Sequence, residues 1–150
     1  MSQSTDAILW FGACWTENDE KYYESGLPMP VQAFMRSQHG LENNEDDDDD
    51  GSTDFHDKMV SLVEKLIEPF GCELVRHCHG DSIMYGLAVK ESVKTVYRGD
   101  PQRVALDVLH ESSLYKPLEA EDYGTRVHHA CAAVGWPLEL ASWWLAPYWC

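Results

Sequence analysis

The feature that most limits how this chain can fold is a run of acidic residues at positions 42–57, called here the acidic run. Nine of its sixteen residues are Asp or Glu, and none is Lys or Arg. Like charges repel one another and gain little from packing, so we expect an extended, solvated segment outside any core. The nine acids are Glu42, Glu45, Asp46, Asp47, Asp48, Asp49, Asp50, Asp54 and Asp57.

The acidic run also accounts for most of the charge of the protein. The 150 residues carry a formal net charge of −15, and without those nine acids the remainder carries only −6, an ordinary value for a soluble domain. A strongly acidic chain is repelled by the phosphates of nucleic acid and by anionic membranes. We therefore expect neither direct nucleic-acid binding nor membrane binding.

Targeting signals and cysteine usage indicate the compartment. The N-terminal residues lack the positive start and apolar stretch of a signal peptide, and no apolar run reaches the roughly 18–20 residues that span a bilayer. The five cysteines form no C-x-x-C pair, which is typical of reduced thiols in the cytosol rather than of a disulfide framework. These observations predict a cytoplasmic protein with a single domain over residues 1–150.

Hydrophobic periodicity predicts an α+β domain that carries a long, irregular, acidic insert at about residues 16–54. The clearest helix is an apolar stripe at helical spacing between Phe55 and Phe70. Residues 31–36, inside the insert, are compatible with a short helix. The predicted elements are strands at residues 7–15, 72–79, 83–92 and 138–146, and helices at residues 55–70, from 101 onward and at 119–134.

This order of elements, β-α-β-β-α-(α)-β, resembles the ferredoxin-like split β-α-β arrangement, an antiparallel sheet with helices on one face. The resemblance concerns element order alone and covers residues 7–15 and 55–146. Because this architecture hosts many unrelated functions, it implies no particular activity.

The spacing of the acids suggests one metal site. An EF-hand loop supplies oxygen ligands to calcium from positions 1, 3, 5, 7, 9 and 12, and Asp occupies five of these positions here. Three departures favour a solvated loop instead: position 12 is not Glu, position 8 is Thr53 rather than an apolar residue, and no good helix precedes the loop. The candidate calcium ligands are Asp46, Asp48, Asp50, Asp54 and Asp57.

His and Cys residues suggest zinc or nucleophilic catalysis less directly. A zinc site could draw on two groups of soft ligands, but no C-x2–4-C pair is present, and a buried free Cys commonly acts as a small apolar residue. No nucleophile elbow, H-E-x-x-H helix or phosphate-binding glycine loop accompanies the candidate nucleophiles Cys78 and Ser82. The residues considered are Cys72, His77, Cys78, His79, His110, His128, His129 and Cys131.

Four basic residues, Lys90, Lys94, Arg98 and Arg103, form the one basic cluster in the sequence. We expect them to gather at one rim of the sheet, where they could bind a phosphate or the carboxylates of a partner. They could equally bind the acidic run of the same chain. The sequence leaves both alternatives open.

Aromatic residues are concentrated near the C-terminus. Trp and Tyr dominate binding interfaces because they remove a large area from water, but core packing explains such a cluster equally well. If the segment extends beyond the fold, it predicts a dimer or partner contact. The cluster comprises Trp136, Trp143, Trp144, Tyr148 and Trp149.

The leading hypothesis is a non-enzymatic acidic protein that regulates or inhibits a basic protein partner, for example by imitating the charge of nucleic acid. Electrostatic steering would then speed association. The alternatives are a calcium-binding or metal-dependent hydrolytic protein, and a protein that works through a polar pocket near His79 or His128. The residues predicted to bind the partner are Asp46, Asp47, Asp48, Asp49, Asp50, Asp54, Trp144, Tyr148 and Trp149.

Overall fold

The computed structural model describes residues 6–14, 26–41, 51–79, 82–96, 117–137 and 141–148. Within these residues the chain forms a five-strand antiparallel sheet and three α-helices. The strands are β1 (Asp6–Ala13), β2 (Cys72–His79), β3 (Ser82–Val89), β4 (Lys94–Val96) and β5 (Ser142–Tyr148). The helices are α1 (Met29–His39), α2 (Gly51–Ile67) and α3 (Pro117–Val134), and short 3₁₀ turns at Glu68–Phe70 and Lys90–Ser92 follow α2 and β3.

β1 is the central strand and is paired along both edges. On one edge residues 7–9 pair with β4 and residues 12–13 pair with β3. On the other edge residues 6–12 pair with β5. The strand predicted over residues 7–15 is confirmed, and its apolar residues do not alternate with polar ones because both of its faces are covered.

β3 and β4 share one edge of β1, but the 3₁₀ turn between them shifts the register. The pairs Gly12–Ala88 and Leu9–Lys94 are three residues apart along β1 but six residues apart along the β3–β4 segment. The three additional residues change which side chains point to each face, because side-chain direction alternates with a period of two.

The hydroxyl of Ser92 compensates for this break in the ladder. Its Oγ accepts a hydrogen bond from the Phe11 N–H at 2.9 Å and donates one to the Val89 carbonyl at 2.7 Å. The prediction of one strand over residues 83–92 is therefore wrong at its C-terminal end, where a side chain replaces the backbone partner.

All three helices contribute to one core on one face of the sheet. The apolar stripe predicted in residues 55–70 is confirmed, since Met59, Val63 and Ile67 are almost completely buried. None of the described helices has the length and apolarity that a membrane-spanning helix requires. The other buried members of this core are Ala13, Leu27, Val31, Met35, Cys72, Leu87, Val89, Val127, Ala130, Cys131, Val134 and Trp136.

α1 lies inside the stretch predicted to be irregular, and it is longer than the short helix considered for residues 31–36. Pro30 occupies its first turn, where a missing N–H costs nothing, and Gly40 ends it in the left-handed conformation with φ of 60°. The Gln32 amide donates a hydrogen bond to the Leu27 carbonyl at 2.8 Å. An amphipathic helix thus lies within the stretch predicted as the insert.

The C-terminal elements agree with the predicted types and differ in their bounds. α3 begins at Pro117, and the predicted final strand is confirmed as β5, which begins four residues later than predicted, at Ser142. The helix predicted from residue 101 onward lies outside the described residues.

The second face of the sheet encloses a smaller apolar cluster around Trp10. β2 and β5, at opposite ends of the pairing order, approach within 8 Å between Cα atoms, so the sheet is strongly curled. Because the helices cover the other face, the curl closes over the face that carries Trp10. Trp10 is fully buried there beside Ile8, Val75 and Ala88.

Replacing Gly86 by Ala is expected to destabilise the fold, because a Cβ atom there would lie 2.7 Å from the Trp10 ring. Overpacking of this kind costs about 1–3 kcal/mol, measurable by urea unfolding. Gly124→Ala in α3 is the control: no other atom lies within 4 Å of its Cβ position, so the helix should gain up to about 1 kcal/mol. Equal effects of the two substitutions would contradict the packing of Trp10 over Gly86.

Candidate functional site

The middle of the acidic run connects two helices that pack against each other. α1 ends at His39, α2 begins at Gly51, and the two helices are in contact. The Arg36 guanidinium lies over the Phe55 ring, 5.6 Å from its centre. Both ends of the connection are therefore held on one packed helix pair. The side chains of Asp46, Asp47, Asp48, Asp49, Asp50 and Asp54 lie outside the described residues.

The second half of the predicted calcium loop is helical in the structure. Because α2 begins at Gly51, positions 6 to 12 of the EF-hand pattern lie in its first two turns rather than in an extended loop. Asp57, the last candidate ligand, is exposed on this helix. Among the residues with described side chains, no group of three or more His, Cys, Asp or Glu is arranged to hold a metal. Calcium binding by Asp46, Asp48, Asp50 and Asp54 stays a prediction.

The candidate zinc ligands with described side chains are distributed over different faces. Cys72 and Cys131 lie in the core under the helices, whereas His77 points to the opposite face of the sheet and His128 is exposed on α3. Burial raises the pKa of the Cys72 thiol to about 11 and that of Cys131 to about 12. Both thiols are therefore protonated and unreactive at neutral pH. The side chains of His79, Ser82 and His110 lie outside the described residues.

Two of the four clustered basic residues are described, and both are exposed. Lys90 lies in the 3₁₀ turn after β3, with its Nζ 3.7 Å from a Glu68 carboxylate oxygen. Lys94 lies on β4 opposite Leu9. Glu68 immediately follows α2, whose 17 residues span about 25 Å. Lys90 is thus near the end of α2 that is remote from the acidic run. Arg98 and Arg103 lie outside the described residues.

The structure describes only some of the aromatic side chains that are predicted to bind a partner. Trp144 lies on β5 beside Trp10 of β1, is half-buried, and donates a hydrogen bond from its indole nitrogen to the Gly12 carbonyl at 3.2 Å. It therefore contributes to the curled face of the sheet. The backbone of Tyr148 ends β5, but its side chain, and all of Trp149, lie outside the described residues. Leu145, next to Trp144, has 72% of its surface exposed.

Sequence reasoning missed a polar contact made by Arg126 of α3. Its Nε donates to the Phe70 carbonyl at 2.8 Å and its Nη2 donates to the Gly71 carbonyl at 2.7 Å. Its two terminal nitrogens also donate to the two carboxylate oxygens of Glu91, at 3.2 and 2.9 Å. We call this set of contacts the Arg126 clamp. It joins α3 to the turn before β2 and to the turn after β3.

The Arg126 clamp perturbs the titration of its members. The side-chain hydrogen bond from Arg126 lowers the pKa of Glu91, and the same bond raises the pKa of Arg126. No local sequence motif predicts the clamp, because Arg126 is 35 to 56 residues away from its partners in sequence. It is a structural contact, since each of the three guanidinium nitrogens donates a hydrogen bond to the protein itself.

A shallow groove of about 320 Å³ lies between α2 and β2, close to the Arg126 clamp. Its acids and lysines are interspersed, and burial raises the pKa of Glu73. The groove is not the polar pocket predicted near His79 or His128, because its lining residues are Ser61, Glu64, Lys65, Glu68, Cys72, Glu73 and Lys90.

Sequence reasoning also missed a thiol–imidazole pair, formed by Cys14 and His77 on the curled face of the sheet. The Cys14 Sγ lies 3.5 Å from His77 Nε2. The His77 ring is buried and stacks on Trp10, with ring centres 5.6 Å apart and planes inclined by 28°. Alternation along residues 72–79 places His77 on this face, but only the curl of the sheet brings it to Cys14.

Comparison with family models, with curated proteins and with solved structures found no match for this chain. The functional assignment therefore depends on the residues and the geometry described above.

Replacing Arg126 by Lys is expected to destabilise the protein by about 2–3 kcal/mol, because one ammonium cannot serve two carbonyls and a carboxylate together. Chemical denaturation followed by circular dichroism measures this loss. Asp122→Asn is the control, since Asp122 is exposed and only 3.7 Å from Arg126; it should cost less than about 0.5 kcal/mol. A loss for Arg126→Lys no larger than that of the control would show that the clamp contributes nothing.

The lowered pKa of Glu91 predicts a pH-dependent contribution to stability. A carboxylate with a lowered pKa in the folded state stabilises the fold above the usual value of 4.5, and the effect is lost as pH falls through the folded pKa. Glu91→Gln should therefore be less stable than the native chain at pH 7, and the difference should shrink below pH 4.5. Because Glu91 is largely exposed, the difference at pH 7 should be below about 1 kcal/mol. A difference that is independent of pH would contradict the ionic contact.

Proposed function

We propose that this chain is a non-enzymatic binding protein that recognises a basic protein partner through the acidic run. Such a protein would act as a regulator or inhibitor, including one that imitates the charge of nucleic acid. The observation that carries the proposal is the concentration of nine acids and no base in residues 42–57, with a packed helix on each side of the Asp residues. A dense local charge raises the rate of association with an oppositely charged surface.

The helix pair supports this proposal because it limits where the acids can be. α1 and α2 are each buried in the core through residues such as Met35 and Met59, and Arg36 stacks on Phe55 between them. A binding segment that is fixed at both ends loses less conformational freedom on binding than a free tail does. The acids would therefore meet a partner as one localised patch.

The position of Lys90 favours an external partner over contact within the chain. Lys90 already has Glu68 as a near neighbour and lies by the remote end of α2, about 25 Å from the residue that follows the five consecutive Asp residues. Beyond about one Debye length, 8–10 Å in ordinary buffers, exposed charges are largely screened from one another. Lys90 therefore lies too far from the start of α2 to neutralise charge there.

Aromatic contacts would complete the interface. Tyr148 is the last paired residue of β5 and Trp149 follows it in sequence, and Trp144 offers the part of its ring that the sheet leaves exposed. The neighbouring Leu145 is the most exposed of the large apolar side chains that the structure describes. Leu145 points to the opposite face of β5 from Trp144, and its exposed side chain would serve a homodimer contact.

Two further inferences concern fold and compartment. We infer that β4 continues β3 along one edge of β1, so that the strands follow the ferredoxin-like order β2-β3-β1-β5; their shared edge supports this. We also infer a cytoplasmic location, which the five cysteines without a C-x-x-C pair support.

Binding to a labelled Lys/Arg-rich peptide, measured by fluorescence anisotropy over a series of NaCl concentrations, tests the proposal. Replacing all five residues 46–50 by Asn changes the net charge from −15 to −10. We expect this variant to lose at least about tenfold in affinity at low salt and to show a weaker salt dependence.

The control variant removes the same charge elsewhere, through Gln or Asn at Glu17, Asp19, Glu20, Glu24 and Glu64. It should lose less than about threefold in affinity, because the charge density of the acidic run itself is unchanged. Equal losses in the two variants would attribute binding to overall charge and overturn the proposal. No loss in the Asn variant would overturn it as well.

A further inference from the structure

The four cysteines that the structure describes have unlike surroundings, and Cys14 is the one of them that is not buried. Cys72 and Cys131 are buried in the core, and burial raises the pKa of each thiol. Cys14 follows the last residue of β1, is partly exposed, and lies 3.5 Å from His77 Nε2. It therefore combines access from solvent with a nitrogen that can take its proton.

The position of His77 is held by the sheet around it. Its main chain is paired with Met84 in the β2–β3 hairpin, and its ring is stacked on Trp10, which is itself fully buried. Only 5% of His77 is exposed, so the ring has little room to turn away from the sulfur. The thiol–imidazole pair is thus a pre-organised contact between β2 and the end of β1.

A buried hydrogen-bond donor lies on the same face. The indole nitrogen of Trp10 is buried, and no acceptor is within hydrogen-bonding distance of it in the part of the chain that is described. This nitrogen lies 3.1 Å from the position of a Cβ on Gly86. Gly86 precedes Leu87, the partner of Ala13, so the donor is near the end of β1 that carries Cys14. Buried indole N–H groups normally have an acceptor, and an oxygen added at this end of the strand could supply one.

We propose that Cys14 and His77 form a reactive thiol site that takes small hydroperoxides. His77 accepts the Cys14 proton, which leaves a thiolate, the nucleophilic form of the residue. The sulfur attacks one oxygen of hydrogen peroxide, the O–O bond breaks, and the leaving hydroxide takes the proton from His77 to form water. Cys14 is thereby oxidised to a sulfenic acid and the peroxide is reduced. This site is independent of the acidic run and of its partner.

Trapping of sulfenic acid with dimedone, followed by peptide mass spectrometry, measures oxidation at each cysteine of the folded chain. With hydrogen peroxide at low molar excess, we expect Cys14 to be labelled at least about tenfold faster than Cys72 or Cys131. His77→Gln should lower the rate at Cys14 by about tenfold or more, because Gln cannot accept the proton. His128→Gln is the matched control, since His128 is exposed on α3, and should leave the rate unchanged.

The native and urea-unfolded forms of the unaltered protein give a second comparison, which stands even if His77→Gln fails to fold. Cys14 should react faster in the native chain than in the unfolded chain, where His77 is no longer beside it. A native Cys14 that reacts no faster than the unfolded one would overturn the proposal. So would a folded His77→Gln variant with an unchanged rate at Cys14.

Discussion

β1 is paired along both of its edges and packed on both of its faces, and the rest of the structure depends on that arrangement. β3 and β4 pair with one edge and β5 with the other, while Phe11 and Ala13 contact the helix-side core and Ile8 and Trp10 form the second cluster. The curl of the sheet brings β2 close to β5 and encloses the Trp10 ring. Gly86 is the residue that allows this closure, because no side chain separates its backbone from the indole.

The elements predicted correctly from the sequence are those whose pattern is local. The apolar β1, the stripe of α2 and the strands β2 and β3 each depend on neighbouring residues, and each is present. β4 was not predicted as a separate strand, because the turn at Lys90–Ser92 adds three residues and reverses the alternation of side chains. The length of α1 was underestimated because Pro28 and Pro30 are typical of loops, although Pro30 suits the first turn of a helix.

The functional residues likewise fall into those that a local pattern predicts and those that only the fold brings together. The acidic run is visible in the sequence because its charge does not depend on what lies around it. The Arg126 clamp and the Cys14–His77 contact join residues 35 to 63 positions apart, and both require the register and the curl of the sheet. Cys72 and Cys14 are the same residue type, yet only the fold distinguishes a buried, protonated thiol from one beside an imidazole.

The position of β5 has a consequence for synthesis on the ribosome. β5, which pairs with the other edge of β1, is synthesised about 130 residues after β1. That edge of the apolar strand β1 therefore stays unpaired until almost all of the domain has been made. Nascent chains in that state associate through such edges. Residues 42–57 are synthesised soon after β1 and carry nine negative charges, and like charges of this kind oppose the association of chains with one another.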